Sequence, residues 1–111
     1  LAKYNCTVEA TMYIIGGIYK VIILWHLLNN VTLRFSEIQR LIPQATPKML
    51  GSQLKELEAN GIINKVLYPV VPPKTEYSLS ELGETLIPVI TSIREWGVMY
   101  FERAGVEIPH R

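Results

Sequence analysis

A stretch near the middle of the chain carries start and stop signals for two helices separated by a very short turn, and this pairing constrains the fold most. Ser36 is expected to cap a short helix that ends before Pro43. Thr46 caps a second helix, with Pro47 at its first position, and Gly61 follows its end. A short capped helix, a tight turn and a longer capped helix predict a helix-turn-helix over residues 36–60.

The second of these helices is amphipathic, with a polar face opposite a stripe of leucines. The leucines recur at spacings of four and three, so they share the buried side: Leu50, Leu54 and Leu57. The opposite face carries polar side chains: Lys48, Ser52 and Lys55. Such a helix fits the major groove of DNA, although an ordinary solvated helix face shows the same pattern.

A β-hairpin is predicted directly after this helix, over residues 62–79. Its strands are residues 62–68 and 75–79, and the connection between them holds Pro69, Pro72 and Pro73. Prolines stiffen a protruding loop and keep it from extending the sheet. A hairpin in this place is typical of the wing of a winged helix.

Helices are predicted on both sides of this unit. Residues 6–30 form two, the first capped by Thr7 and broken after Ile15 by Gly16-Gly17. The second is apolar nearly all round and therefore central. Residues 80–103 form a long last helix that Pro88 kinks or divides. The expected class is mainly α (α+β): a single winged-helix domain, residues 1–111, with a long C-terminal dimerisation helix.

Composition excludes several other classes of protein. The chain is 49% apolar and 19% charged, which is too apolar for a disordered segment. Cys6 is the only cysteine, so a disulfide scaffold is excluded and a reducing, cytoplasmic location is expected. No stretch is long and apolar enough to predict a membrane span. The net charge of +1 gives the protein no strong overall electrostatic field. Binding to nucleic acid therefore has to be inferred from a local group of basic residues.

No catalytic or cofactor motif is present. The chain has one cysteine, two histidines far apart and no aspartate, so it lacks a group of metal-ligating residues at the spacing that a metal site requires. The Gly16-Gly17 pair lacks the Lys-Ser/Thr of a phosphate-binding loop, and no serine stands in a nucleophile elbow. We therefore expect neither an enzyme, nor a bound metal, nor a cofactor.

An ordered set of short motifs resembles the HxlR family of bacterial winged-helix transcriptional regulators. These motifs are CTVEAT at 6–11, IGG at 15–17, KVIILWHLL at 20–28, RFSEI at 34–38, QLKELEANG at 53–61, YPVVPP at 68–73, EYSLSELG at 76–83 and EWG at 95–97. The resemblance implies a homodimer that binds operator DNA, with some members sensing electrophiles or oxidants through an N-terminal cysteine. The sequence departs from the family pattern at Thr7 and at Ile18-Tyr19.

The DNA-binding residues follow from this arrangement. Lys48, Ser52 and Gln53 are expected to read base edges, and Met49 to make apolar contacts with bases. Lys55 lies further along and is expected to meet phosphate. The other predicted phosphate contacts lie on elements beside the major groove. Arg34 and Lys74 supply basic side chains, and Thr75 supplies a hydroxyl on the wing. Ser36 and Thr46 mark helix N-termini, whose free amides suit a phosphate. The alternative is that Arg34 only covers the neighbouring strand and that Lys74 only makes the wing loop soluble.

Two further sites are predicted outside the DNA-binding unit. Cys6 lies just before the first helix, where backbone N–H groups favour a thiolate, and it is either a redox sensor or a small buried apolar residue. The apolar side of the last helix is longer than the core of a single domain can bury, which predicts a dimer interface. Its expected residues come from the first and last helices: Met12, Ile15, Ile93, Trp96 and Tyr100.

These expectations combine into one function with two alternatives. The chain is predicted to be a homodimeric regulator, more specifically a repressor, that binds a palindromic operator in double-stranded DNA and responds to oxidants or electrophiles. One alternative is a winged helix used only for protein–protein contact, which the near-neutral charge permits. The other is a small-molecule sensor whose aromatic residues line an effector pocket.

Overall fold

The computed structural model describes residues 3–109, in which six helices and three short strands are found. The helices are α1 (Thr7–Ile15), α2 (Lys20–Leu28), α3 (Phe35–Leu41), α4 (Pro47–Ala59), α5 (Glu81–Glu84) and α6 (Ile87–Ala104). The strands are β1 (Leu33–Arg34), β2 (Ile63–Tyr68) and β3 (Lys74–Leu79). The predicted mainly-α class, with a helix-turn-helix (α3–α4), a wing (β2–β3) and a long C-terminal helix, is confirmed.

The sheet is antiparallel and ordered β1-β3-β2, so β3 is its central strand. The β2–β3 ladder runs from Ile63 opposite Leu79 to Tyr68 opposite Lys74, which makes the wing a two-stranded ribbon at its tip. On the other side of β3, β1 pairs with the middle of that strand and places Arg34 opposite Glu76. The strand β1 therefore brings the start of α3 beside the wing.

The core forms around α2 and α4. Ile23, Leu24 and Leu27 of α2 are buried, as the apolar run predicted, and they share the core with the leucine stripe of α4. Within residues 3–109 no single helix is long and apolar enough to cross a membrane. The α1–α2 pair reaches that length and composition only when both helices are counted, and it is bent by 75°.

The helix caps agree with the sequence prediction at Thr46 and differ at two other positions. The Thr46 hydroxyl accepts a hydrogen bond from the Met49 N–H at 3.1 Å. The prediction that Thr7 caps α1 is wrong, because the sulfur of Cys6 accepts the Glu9 N–H at 3.4 Å. Sulfur is a weak acceptor, so sequence rules favour the neighbouring threonine.

The predicted cap of α3 is also wrong by two residues. The helix begins at Phe35, and Arg34 is its N-cap. The Glu37 carboxylate accepts the Arg34 N–H at 2.8 Å, which is the half of a capping box that the third helical residue supplies. Ser36 thus lies inside the first turn, where its own N–H is one of those without an intrahelical acceptor.

The C-terminal part consists of two helices rather than one. The Ser80 hydroxyl caps α5 by accepting the Gly83 N–H at 2.9 Å, and Pro88 sits in the first turn of α6. Of the α6 side chains only Ile90 is fully buried. The remaining apolar stripe of α6 is left largely uncovered by the rest of the described chain.

Candidate nucleic-acid interface

The outer face of α4 is open to solvent from its first turn to its last. Lys48, Ser52 and Lys55 are all exposed, while Leu50, Leu54 and Leu57 on the opposite side are buried. At 100° per residue the three exposed side chains lie within roughly 60° of one another around the helix axis. This side of α4 packs against neither the core nor the wing, so a duplex has access to it.

Gln53 has a different role from the predicted one. It is half-buried, and its amide oxygen accepts the backbone N–H of Tyr19 at 2.9 Å. Its side chain also lies against Gly17, which has a φ of +112° and thus a backbone conformation that favours glycine. The amide therefore fixes α4 to the α1–α2 junction, so Gln53 is a positioning residue and not, as predicted, a base-reading one.

Met49 also faces the protein more than the solvent. It is half-buried and packs against the core cluster. The predicted apolar contact with bases is therefore not available to most of this side chain. Sequence periodicity could not separate the two cases, because residue 49 lies between the buried and exposed sides of the helix.

A buried ion pair anchors the same flank of α4. The Lys20 ammonium, whose side chain is only 5% exposed, lies 3.1 Å from the Glu56 carboxylate. Burying an ammonium group is costly unless it is paired. This pair was not predicted from the sequence, although a lysine at the start of the apolar helix α2 indicates that a partner is needed.

Four of the six predicted phosphate contacts come together around one cleft, whereas Thr46 and Lys55 do not line it. Arg34 and Ser36 at the start of α3, with Lys74 and Thr75 at the wing, line a cleft of about 480 Å³. The wing tip, Val70 to Pro73, forms its other side. The cleft therefore collects two basic side chains and the N-terminal turn of a helix on one side of the molecule.

The charges of the DNA-binding unit are arranged unevenly. Residues 34–79 contain six basic and four acidic residues. Two of the acids are engaged locally, since Glu37 caps α3 and Glu56 pairs with Lys20, and a third, Glu76, raises the pKa of the neighbouring Tyr68. None of the six basic residues forms an ion pair with any residue from 3 to 109. The basic side chains are thus available to an anionic partner, despite the small net charge.

Two tyrosines report where the acids of this unit lie. The hydrogen bond and the negative charge of Glu76 raise the pKa of Tyr68 above its ordinary value, and the Lys74 ammonium lies 4.8 Å from the centre of the same ring. Burial, followed by the charge of Glu58, raises the pKa of Tyr77. Glu58 and Glu76 therefore place negative charge near these two tyrosines of the hairpin.

The other predicted residues lie on or beside α1 and α6, outside the helix-turn-helix and the wing. Cys6 is exposed, so the alternative of a buried structural thiol is wrong. Met12, Ile93, Trp96 and Tyr100 are also exposed. Ile15 is 4% exposed and belongs to the core of the monomer, so its assignment to the dimer interface is wrong.

Comparisons with known proteins agree with this architecture. The model of the HxlR-like helix-turn-helix family matches residues 14–105. The chain belongs to the HxlR-like helix-turn-helix family. It is 48% identical over 101 residues to the HTH-type transcriptional regulator YtcD of Bacillus subtilis (strain 168), in an alignment that covers 91% of this chain and 79% of YtcD. The predicted family, and the function of a DNA-binding transcriptional regulator, are confirmed.

Two solved structures of regulators share the fold. The crystal structure of the HTH-type regulator YtcD matches with a TM-score of 0.83 and 46% identity, covering 87% of this chain and 98% of that chain. The redox regulator HypR in its oxidised form matches with a TM-score of 0.80 and 46% identity, covering 85% and 96%. This HxlR-family chain therefore matches these two regulators over nearly their whole length.

Proposed function

We propose that this HxlR-family protein is a cytoplasmic, homodimeric repressor that reads a palindromic operator with the outer face of α4 and acts by binding, not catalysis. Lys48 and Ser52 contact base edges in the major groove, and Lys55 contacts phosphate. The observation that carries the proposal is the open outer face of α4, whose lysines are unpaired within the described chain. Gln53 and Met49 are not part of the reading set.

The cleft beside the wing supports a second set of contacts to the DNA backbone. Arg34 and Lys74 supply charge, and the free amides at the start of α3 suit a phosphate oxygen. Thr75 lines the same cleft, while Thr46 offers the equivalent amides at the start of α4. These contacts set the register of α4 in the groove but carry no sequence information.

The test is selection of DNA from a random pool, followed by binding measurements on the selected site. The double variant Lys48→Ala/Ser52→Ala is expected to lose the preference for the selected site over random DNA. We expect each lost base contact to cost about 1–3 kcal/mol of discrimination. Arg40→Ala is the matched control, because it removes one exposed charge from α3 without touching α4 or the cleft.

The outcomes are distinct. If the double variant keeps its preference while Arg40→Ala also keeps it, the reading face has been assigned to the wrong side chains. If the unaltered protein selects no sequence and its retention does not depend on salt, the protein is a protein–protein module instead. A helix-turn-helix that reads DNA shows both sequence preference and a salt slope.

The dimer is proposed from the uncovered apolar side chains of α1 and α6. Met12, Ile93, Trp96 and Tyr100 are each between 47% and 61% exposed. The rings of Trp96 and Tyr100 stack at 5.4 Å, which presents a flat aromatic surface. Self-association buries this surface and brings two copies of α4 to the spacing of successive major grooves, about 34–36 Å.

A response to oxidants is proposed for Cys6. The thiol is exposed, and HypR, which is 46% identical to this chain, is described as a redox regulator. Because the chain has one cysteine, oxidation gives a sulfenic acid, or a disulfide with a second chain or a small thiol. Hydrogen peroxide is expected to change operator affinity in the unaltered protein and not in Cys6→Ser, whose hydroxyl still caps α1. Equal responses of the two proteins would remove Cys6 from the mechanism.

A further inference from the structure

An apolar groove lies between α2 and α6, and no residue of α3, α4 or the wing lines it. It has a volume of about 170 Å³. Its walls are aliphatic and aromatic except for one basic side chain: Val21, Ile22, Trp25, Ile90, Ile93 and Arg94. A cavity of about this size holds a single aromatic ring.

Arg94 is the feature of this groove that needs an explanation. Its guanidinium carbon lies 5.9 Å from the centre of the Trp25 ring, near the outer limit of a cation–π contact. Its Nε is buried and has no hydrogen-bond acceptor among residues 3–109, and no carboxylate in that range pairs with the guanidinium. A buried donor without an acceptor costs free energy, which a bound anion would recover.

We propose that this groove is a binding site for a small organic monocarboxylate with an aromatic or branched aliphatic body. The carboxylate accepts from Arg94, whose planar fork of donors matches its geometry. The apolar body lies against Trp25 and the aliphatic side chains of the groove. Charge complementarity selects an anion, because the one polar group that lines the groove is cationic.

The groove lies between the proposed dimer helix and the helix that supports α4. One wall is α6, the proposed dimer helix, and Ile93 belongs to both surfaces. The other wall is α2, which begins at Lys20, and Lys20 and Tyr19 hold α4 through Glu56 and Gln53. A ligand that separates α2 from α6 thus acts on the support of α4. This coupling rests on the proposed function, whereas binding in the groove does not.

The test uses benzoate as the probe and the full-length chain without DNA. The indole N–H signal of Trp25 in a nitrogen–proton NMR spectrum reports binding, and that of Trp96, which does not line the groove, is the internal reference. We expect the Trp25 signal to shift saturably with a dissociation constant of the order of 1 mM or below. Benzamide, a neutral molecule of the same shape, is expected to bind about tenfold more weakly or not at all.

Two variants locate the carboxylate. Arg94→Gln is expected to weaken benzoate binding by about tenfold or more. Arg103→Gln is the matched control, since it removes a charge from the opposite side of α6 and is expected to leave binding unchanged. Equal binding of benzoate and benzamide to the unaltered protein overturns the proposal even if Arg94→Gln fails to fold. Loss of dimer formation in Arg94→Gln, without benzoate binding to the unaltered protein, assigns the groove to the partner copy and also overturns it.

A second measurement separates this proposal from the proposed function. Operator affinity is compared in sodium benzoate and in sodium chloride at the same ionic strength. A change of about fivefold or more, absent in Arg94→Gln, supports the coupling. Saturable benzoate binding with no change in operator affinity overturns the coupling alone, and failure to bind any DNA overturns the proposed function but not the ligand site.

Discussion

Gln53 and Glu56 leave the outer face of α4 to other side chains because both bond to the α1–α2 junction. Gln53 accepts from the Tyr19 backbone, and Glu56 pairs with Lys20. A glutamine and a glutamate on a helix near DNA are ambiguous as isolated residues. Its bond to Tyr19 makes Gln53 a positioning residue, and its pairing with Lys20 means that Glu56 adds no unpaired negative charge to the interface.

The ion pair gives a prediction about stability. Glu56→Gln leaves the buried Lys20 ammonium with a neutral partner, and we expect it to lower the free energy of unfolding by about 1–3 kcal/mol. This loss is smaller than that expected for a fully buried pair, because the Glu56 side chain is 57% exposed. Urea denaturation measures the change. Glu58→Gln on the same helix is the control, with an expected effect within about 0.5 kcal/mol, and equal losses in the two variants would contradict the prediction.

His26 gives a prediction about pH. It lies half-buried in α2, and burial lowers its pKa below the ordinary 6.5. In the range between the folded and unfolded pKa values the unfolded chain binds more protons, so stability falls as the pH decreases through about 6.5. We expect His26→Gln to lose less unfolding free energy than the unaltered protein between about pH 7 and about pH 5. The same decrease in both proteins would show that other groups cause it.

At the scale of elements, α4 and the wing are expected to play different parts in DNA binding. The outer face of α4 presents side chains that distinguish bases, whereas Lys74 on the wing lies over the Tyr68 ring beside the cleft. A lysine in that place contacts a phosphate, which every sequence has. Loss of a wing contact should therefore affect all sequences equally.

Lys74→Ala tests this division. We expect it to weaken binding to the selected site and to random DNA by the same factor. The slope of log affinity against log salt should decrease by about 0.9 per lost phosphate contact in each protomer. Fluorescence anisotropy over a series of salt concentrations measures both quantities. An unchanged slope, or a selective loss at the selected site, would show that Lys74 does not contact a phosphate.

The whole molecule is elongated, with extents of 50 × 39 × 24 Å. Its radius of gyration is 15.3 Å, against about 13 Å for a compact chain of this length. The α6 helix is about 27 Å long and buries only one side chain fully, so much of its apolar surface depends on a second copy. The uncovered apolar surface belongs to α1 and α6 together.

Trp96→Glu tests the dimer. The side chain is 61% exposed, so the monomer should keep its fold while two copies repel each other. We expect a monomer by size-exclusion chromatography with light scattering, and operator affinity weaker by about 10²-fold, because two half-sites no longer bind together. Val31→Glu places the same charge on an exposed valine outside α1 and α6 and should remain dimeric. A dimeric Trp96→Glu protein would show that the interface lies elsewhere.

The sequence by itself determined the elements whose signals are local. Thr46, Pro47 and Gly61 fixed the bounds of α4, and the prolines after Tyr68 fixed the wing loop, because each acts on the backbone within a few residues. The family motifs are also read directly from the sequence, and they indicated the general function of a DNA-binding transcriptional regulator.

Only the tertiary structure decided the roles of side chains whose partners are distant in sequence. Gln53 meets Tyr19 across 34 residues, and Glu56 meets Lys20 across 36. Ile15 is buried in the core of the monomer, and the Nε of Arg94 has no hydrogen-bond acceptor within the described chain. A pattern along the chain reports which side of a helix is apolar, but not which element packs against it. Burial and pairing are properties of that packing, so they appeared only with the folded arrangement of α2, α4 and α6.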